Sequence, residues 1–179
     1  LIHWPDANVT IEETMKALVE LKKQGKILHI GVSNYSIEQI EEAEKYAKIE
    51  VYQPQYSMVF RDKVDQMKWA AEKGIGVMTY GSLGAGILTG KMREFKTYEE
   101  NDNRNRFYKH FQEPMFSKVQ QLLKVMDQLS EEKGGVPLSQ IALNWTCQKD
   151  FVHSSIVGSQ HRSKIAENCA GFDWTLTAD

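Results

Sequence analysis

The chain has 179 residues and a formal net charge of -2, with 41% hydrophobic and 26% charged residues. This is the composition of a globular protein with room for a sizeable core. It has no basic excess to draw nucleic acid, no basic tract for an anionic membrane and no apolar run long enough to span a bilayer. Two cysteines, Cys147 and Cys169, are too few for a disulfide framework and have no CxxC or His neighbour suggesting a metal, so a reducing, cytoplasmic setting is expected.

Leu1 to Trp4 reads as the end of a strand with no cap or turn before it, so the chain is expected to be a piece of something longer. Thr10 opens a helix, and Glu13 completes a capping box. Ile11, Met15, Leu18, Val19 and Leu21 keep helical spacing, and Gly25 is the stop. Ile27 to Val32 is a second strand. Ser36 with Gln39 starts a helix whose inner face is Ile37, Ile40, Ala43 and Ala47. Glu50 to Met58 is a third strand. Asp62 to Lys73 is a helix with Val64, Met67 and Ala71 inward, ended by Gly74. Ile75 to Tyr80 is a fourth strand. Strands recurring at roughly 25-residue intervals, each followed by a helix, predict βα units in a parallel sheet.

The rhythm breaks after Ser82. Residues 84–112 are rich in Gly, Lys, Arg, Asn and Asp and read as an inserted loop or lid. A helix from about Pro114 to Lys133 follows, and Gly134-Gly135 breaks it. Pro137 suits the first turn of another helix, with Leu138, Ile141, Ala142 and Trp145 inward. Ser154 to Ser159 is a fifth strand, and Ser163 to Ala170 a last helix. No linker divides the chain, so residues 1–179 read as a single α/β domain. Five such units do not close an eight-stranded parallel (β/α)8 TIM barrel. The open edges predict either further chain or a second copy covering them, and hence self-association.

In a parallel barrel, function gathers at the C-terminal ends of the strands. Those ends carry His3 and Trp4, then Ser33, Asn34 and Tyr35, then Gln53 and Gln55, then Tyr80 to Gly84. The last is Gly158, Ser159 and Gln160, with Lys164, Glu167 and Asn168 just beyond. Polar and small residues recur at the same end of every unit, which favours a ligand site over turn chemistry alone.

These ends, read as LIHWPD, GVSNYS, VYQPQYS, TYGSLGAGILTGK and IVGSQHRSKIAEN, resemble in order and spacing the strand-end motifs of the aldo-keto reductases. GILTGK resembles the bacterial and potassium-channel β-subunit branch. The resemblance implies the last five or so units of the barrel and NADP(H)-dependent hydride transfer between nicotinamide and a small-molecule aldehyde or ketone.

It implies that His3 orients and polarises the substrate carbonyl, as a donor aimed at developing negative charge does. The plainer reading is a histidine packed in a barrel layer. Trp4 would face the substrate. Ser33, Asn34 and Gln53 resemble the residues that hold the nicotinamide carboxamide, a group needing both donors and acceptors. A cap or turn pair is the other reading of Ser33 and Asn34. Tyr80 resembles the aromatic residue stacked on the nicotinamide; otherwise it packs in the barrel mouth.

The segment carrying Gly81, Ser82, Leu83, Gly84, Gly86 and Lys91 resembles the one that closes over the pyrophosphate, where glycine admits close backbone approach. Gly158, Ser159, Gln160, Lys164, Glu167 and Asn168 match the adenosine end. There Lys164 with Ser159 favours a 2′-phosphate, although Gly158 and Gln160 replace the Lys and Arg of many relatives. Arg104 and Arg106 reach cofactor phosphates or form a charged loop face. No metal is implied. The family's catalytic Tyr, Lys and Asp find no match, so the chain alone is expected to be inactive or nearly so. The alternative is a cofactor-binding regulatory protein on the same fold, like the channel β subunits.

Overall fold

At Thr10 the side-chain oxygen accepts the Glu13 N–H at 3.1 Å, while the Glu13 carboxylate accepts the Thr10 N–H at 3.0 Å. This box starts α1 (Ile11–Lys23) in the computed structural model, which describes residues 1–177. Ser36 and Gln39 repeat the device at the head of α2 (Ile37–Glu44). α3 (Val64–Glu72) closes through Gly74, whose φ of +71° lets the Ile75 N–H reach the Ala70 carbonyl at 2.9 Å. A Cβ disfavours that left-handed turn, and it sends the chain directly into the next strand.

Strands β1 (Gly31–Ser33), β2 (Val51–Gln53), β3 (Gly76–Thr79) and β4 (Ser154–Ser155) are parallel and adjacent in chain order. Ile2 adds one parallel bridge to Val32, so five strand positions follow one another. All are shorter than the apolar runs predict. Pro54 has no N–H to donate and ends β2, although its carbonyl still accepts the Tyr80 N–H at 3.0 Å. Beyond it, Gln55 keeps a single bridge with Tyr80. The strand expected to run to Met58 is therefore broken at the proline.

Side chains alternate across the sheet. Val32, Tyr52, Val77 and Thr79 are 0% exposed, while Val51, Gln53 and Met78 are half-buried. The closed face belongs to a core that includes Ile40, Ala43, Met67 and Ala70. On α3 the buried residues are Gln66, Met67 and Ala70, whereas spacing points to Val64, Met67 and Ala71. Gln66 can take a core position because its amide donates to the Tyr35 carbonyl at 2.6 Å.

The described residues fall into two compact units. The first is residues 1–55, 62–80 and 150–155, and the second is residues 56–61, 81–149 and the chain from 156 on. The elements above make the first unit.

The second has its own core. On α5 (Met115–Glu132), Phe116, Val119, Leu123 and Met126 recur at helical spacing, and they pack with Leu138, Ile141 and Ala142 of α6 (Leu138–Cys147). α6 is buried on nearly all sides, not on the one face expected. Its polar residues are satisfied. The Asn144 amide donates to the carbonyls of Gly171 at 2.8 Å and Trp174 at 2.6 Å, and Gln140 donates to the Glu167 carbonyl at 2.8 Å. These bonds seat α7 (Arg162–Cys169) and the tail after it.

The 84–112 excursion carries two 3-10 turns, Gly84–Thr89 and Lys109–Phe111, and the four-residue helix α4 (Asn103–Arg106). Its Ile87, Leu88 and Phe111 join the second core. No helix among the described residues is long and apolar enough to cross a membrane.

Candidate functional site

In the first unit the strand ends bring His3, Ser33, Asn34, Gln53 and Tyr80 into one hydrogen-bonded set. Ser33, 1% exposed, donates its hydroxyl to the Gln53 carbonyl at 2.7 Å, across the β1–β2 register that pairs the two residues. Asn34 has a φ of +61°, a left-handed conformation that asparagine tolerates better than most residues. Its amide donates to the His3 carbonyl at 2.9 Å and to the Ser33 hydroxyl at 3.1 Å. Its oxygen accepts the Tyr80 hydroxyl at 2.9 Å, which fixes the direction of the phenol ring.

The Gln53 side chain is half-buried and makes no hydrogen bond among the described residues. Its amide is thus the member of the set free for a ligand. His3 is exposed, with its ring 6.0 Å from that of Trp4, itself 48% exposed. Neither is packed in a barrel layer. Tyr52 lies within the VYQPQYS motif but has no role assigned from sequence, and its hydroxyl is buried without a partner among the described residues. Burial pushes that phenol up, with the Tyr80 hydroxyl adding to the shift, so it stays protonated.

In the second unit two segments far apart in sequence line one cavity of about 750 Å³. One supplies Leu83, Gly86 and Lys91; the other supplies Gly158, Ser159, Gln160, Lys164, Glu167 and Asn168. The turn that brings the first segment there is left-handed over three residues, with φ of +57° at Gly84, +52° at Ala85 and +92° at Gly86. A Cβ on Gly86 would come within 3.2 Å of the Met92 methyl. Gly81 and Ser82 instead line a neighbouring cavity of about 270 Å³ with Leu83, Ala85, Gly86, Ile156, Val157 and Gly158. Gly84 lines neither. A Cβ there would meet the Val59 methyl at 2.8 Å, so it is packed from behind.

The electrostatics of the larger cavity centre on Glu167. It pairs with Lys164 and accepts the Ser139 hydroxyl at 3.2 Å. The Lys164 bond above all holds its carboxyl below the usual range; Ser139 and the Lys91 charge contribute less. Lys164 therefore meets any ligand as half of an ion pair. Asn168 is 6% exposed and lines the cavity, and its side chain makes no hydrogen bond among the described residues. Opening onto the cavity, that amide has a donor and an acceptor to offer a polar ligand. Two ammonium groups, hydroxyls and an orphan amide over an apolar floor of Leu83, Met92 and Leu138 fit a phosphate joined to a flat polar ring.

Arg104 is committed elsewhere. Its guanidinium bonds Asp102, whose carboxyl it holds down at about 2, and lies 4.1 Å over the Tyr98 ring. Sequence reading misses Ser139 and His161, which also line the cavity. Ser139 sits on α6, away from any strand end, and its part in the site depends on the α6–α7 contact. His161 is adjacent to Gln160 and caps α7 in position only, with no side-chain bond.

Comparison with known proteins bears on the family and the fold. The chain is 34% identical to the aldo-keto reductase YhdN of Bacillus subtilis over 99% of its own length and 54% of that protein's. It is 32% identical to a probable voltage-gated potassium channel subunit beta of Arabidopsis thaliana, covering 96% of this chain and 55% of the other. It thus spans about half the length of the curated relatives it matches. The glycerol dehydrogenase structure from Gluconobacter oxydans superposes with a TM-score of 0.87 at 30% identity, over 98% of this chain and 53% of that one. A thermostable aldo-keto reductase solved with epalrestat has the same fold, with a TM-score of 0.75 at 22% identity over 99% of this chain and 54% of that one. The fold is accordingly the parallel α/β one of the aldo-keto reductase TIM barrels, of which the chain carries part. The family model described as "Aldo/keto reductase family" matches residues 1–179, and the chain belongs to that family.

Proposed function

We propose that the chain supplies the NADP(H)-binding residues of a reductase that moves hydride between nicotinamide and an aldehyde or ketone. The observation that carries this reading is the cavity walled by Lys91, Ser159, Lys164 and the orphan amide of Asn168. Lys164 and Ser159 take the 2′-phosphate, and Asn168 takes the adenine edge. Gly81 to Gly86 offers close backbone approach to the pyrophosphate.

The bound dinucleotide supplies hydride; the chain's own residues position and polarise. Gln53 takes the carboxamide, with Ser33 and Asn34 bracing its neighbourhood. The Tyr80 ring offers a flat face held in direction by Asn34. His3 aims a ring N–H at the substrate oxygen, where negative charge develops, and Trp4 walls the substrate. On this reading steady turnover also needs the family's Tyr, Lys and Asp, for which the strand-end motifs offer no residue. Taken alone, the chain binds cofactor and reduces a reactive aldehyde far below normal rates.

Titrating the chain with NADPH and NADH against tryptophan fluorescence tests this. NADPH is expected to bind more tightly. Lys164→Met should cost NADPH roughly tenfold, because the cation must be shared with Glu167, and leave NADH within about twofold. Equal binding of the two nucleotides by the unaltered chain defeats the NADP(H) assignment.

The relatives named as channel subunits favour a second reading, in which the same residues hold a cofactor as a sensor. That reading requires retained cofactor without steady turnover in the longer protein, which stopped-flow measurement of hydride transfer and release separates from a reductase.

A further inference from the structure

We propose that His110 is a positioning residue for the cofactor's phosphates, clasping the far end of the 84–112 excursion onto the glycine turn that faces them. The inference rests on the cofactor reading above. His110 is 3% exposed, and its ring Nε2 stands 3.1 Å from the Gly84 carbonyl. A carbonyl only accepts, so the ring is the donor. Gly84 opens the three-residue left-handed turn, and His110 lies 26 residues on, at the other end of the excursion. One bond thus closes the loop on its own start.

The placement matters more than the bond alone. Gly84 is the residue of the turn that lines neither cavity, whereas Leu83 and Gly86 on its two sides line both. His110 holds the turn at the Gly84 carbonyl. Ala85, in the middle, has a φ of +52° that an L residue adopts reluctantly, so the turn needs an external hold to keep this shape. His110 is itself held by aromatic neighbours. The Tyr108 ring is 5.4 Å away and the Phe111 ring 4.9 Å. Tyr108 is the titratable side chain facing it, and no charged group contributes to its ionisation. Burial keeps the ring below the usual histidine range, hence neutral at ordinary pH, with its single N–H committed to Gly84. None of the strand-end motifs contains this residue.

A histidine serving the core alone and one setting the phosphate turn differ in which ligand they affect. Adenosine 2′-monophosphate has no 5′-phosphate and on this reading needs only the Gly158–Asn168 segment, whereas NADPH also needs the turn. The full chain is titrated with both ligands as wild type, His110→Phe, which keeps the volume and loses the donor, and His110→Gln, which keeps an N–H. His110→Phe should bind NADPH roughly tenfold more weakly and adenosine 2′-monophosphate within about twofold. His110→Gln should return NADPH to within about threefold of wild type. Equal losses for the two ligands, or no loss for NADPH, overturn the clasp. A wild-type chain that binds adenosine 2′-monophosphate but not NADPH overturns it as well. Binding of neither ligand removes the cofactor reading and the clasp together.

Discussion

Asn34 shows how much one side chain can carry. It joins His3, Ser33 and Tyr80 through three hydrogen bonds while holding a left-handed backbone. Asn34→Gly loses the bonds but keeps the backbone; Asn34→Ala loses both. Asn34→Ala is expected to be less stable than Asn34→Gly by about 1–2 kcal/mol, read from urea midpoints. Equal midpoints would mean that the turn relaxes freely.

Glu50 is the clearest titrating residue. Its carboxylate accepts from His29 at 3.0 Å, Lys22 at 3.0 Å and the Ile30 N–H at 3.1 Å, and these bonds lower it from 4.5 to about 2. Folding lowers this value, so the contribution is complete above the unfolded 4.5 and disappears as pH falls through about 2. The gap in stability between wild type and Glu50→Gln should be steady from about pH 7 to about pH 5 and close by about pH 2. A gap that does not change with pH would sink this assignment.

At the scale of elements, α6 is the hub of the second unit. Gln140 and Asn144, one turn apart, bond the Glu167, Gly171 and Trp174 carbonyls, so α7 hangs from α6 by its polar side chains. Asn144→Ala leaves buried carbonyls unpaired and should lower stability by about 1–3 kcal/mol in thermal unfolding. If Asn144→Leu is neutral, packing seats the tail and the bonds are incidental.

The sequence reads well where structure is local. Thr10 with Glu13 and Ser36 with Gln39 announce their helices because every partner lies within one turn. The strand-end motifs likewise bring together Ser33, Asn34 and Tyr80 in one unit and Lys91, Lys164 and Asn168 in the other. What is not local is hidden. The apolar face of α6 reads as one-sided because the residues covering its polar side lie about 30 positions away. Ser139 and His110 act through contacts that no spacing records, and Arg104 looks available until Asp102 and Tyr98 are seen to hold it.

For the molecule as a whole, the two units are interleaved along the chain, each being assembled from separated segments. The chain leaves and re-enters each unit. One cooperative transition is therefore expected, with single-tryptophan variants keeping Trp69 and Trp174 giving the same urea midpoint. Separated midpoints would show that the units melt independently.

Those probes exist because of how the four tryptophans are placed. Three carry an ammonium group over the ring: Lys73 on Trp69 at 4.7 Å, Lys149 on Trp145 at 4.7 Å and Lys133 on Trp174 at 5.8 Å. Trp174 also donates its indole N–H to Gln140 at 3.2 Å, and Gln140 in turn bonds the backbone of Glu167 in the cavity wall. The molecule thus has an optical gauge wired to its own binding residues. A change in Trp174 emission on adding nucleotide is therefore the expected sign that α7 has shifted its seat, and it needs no label.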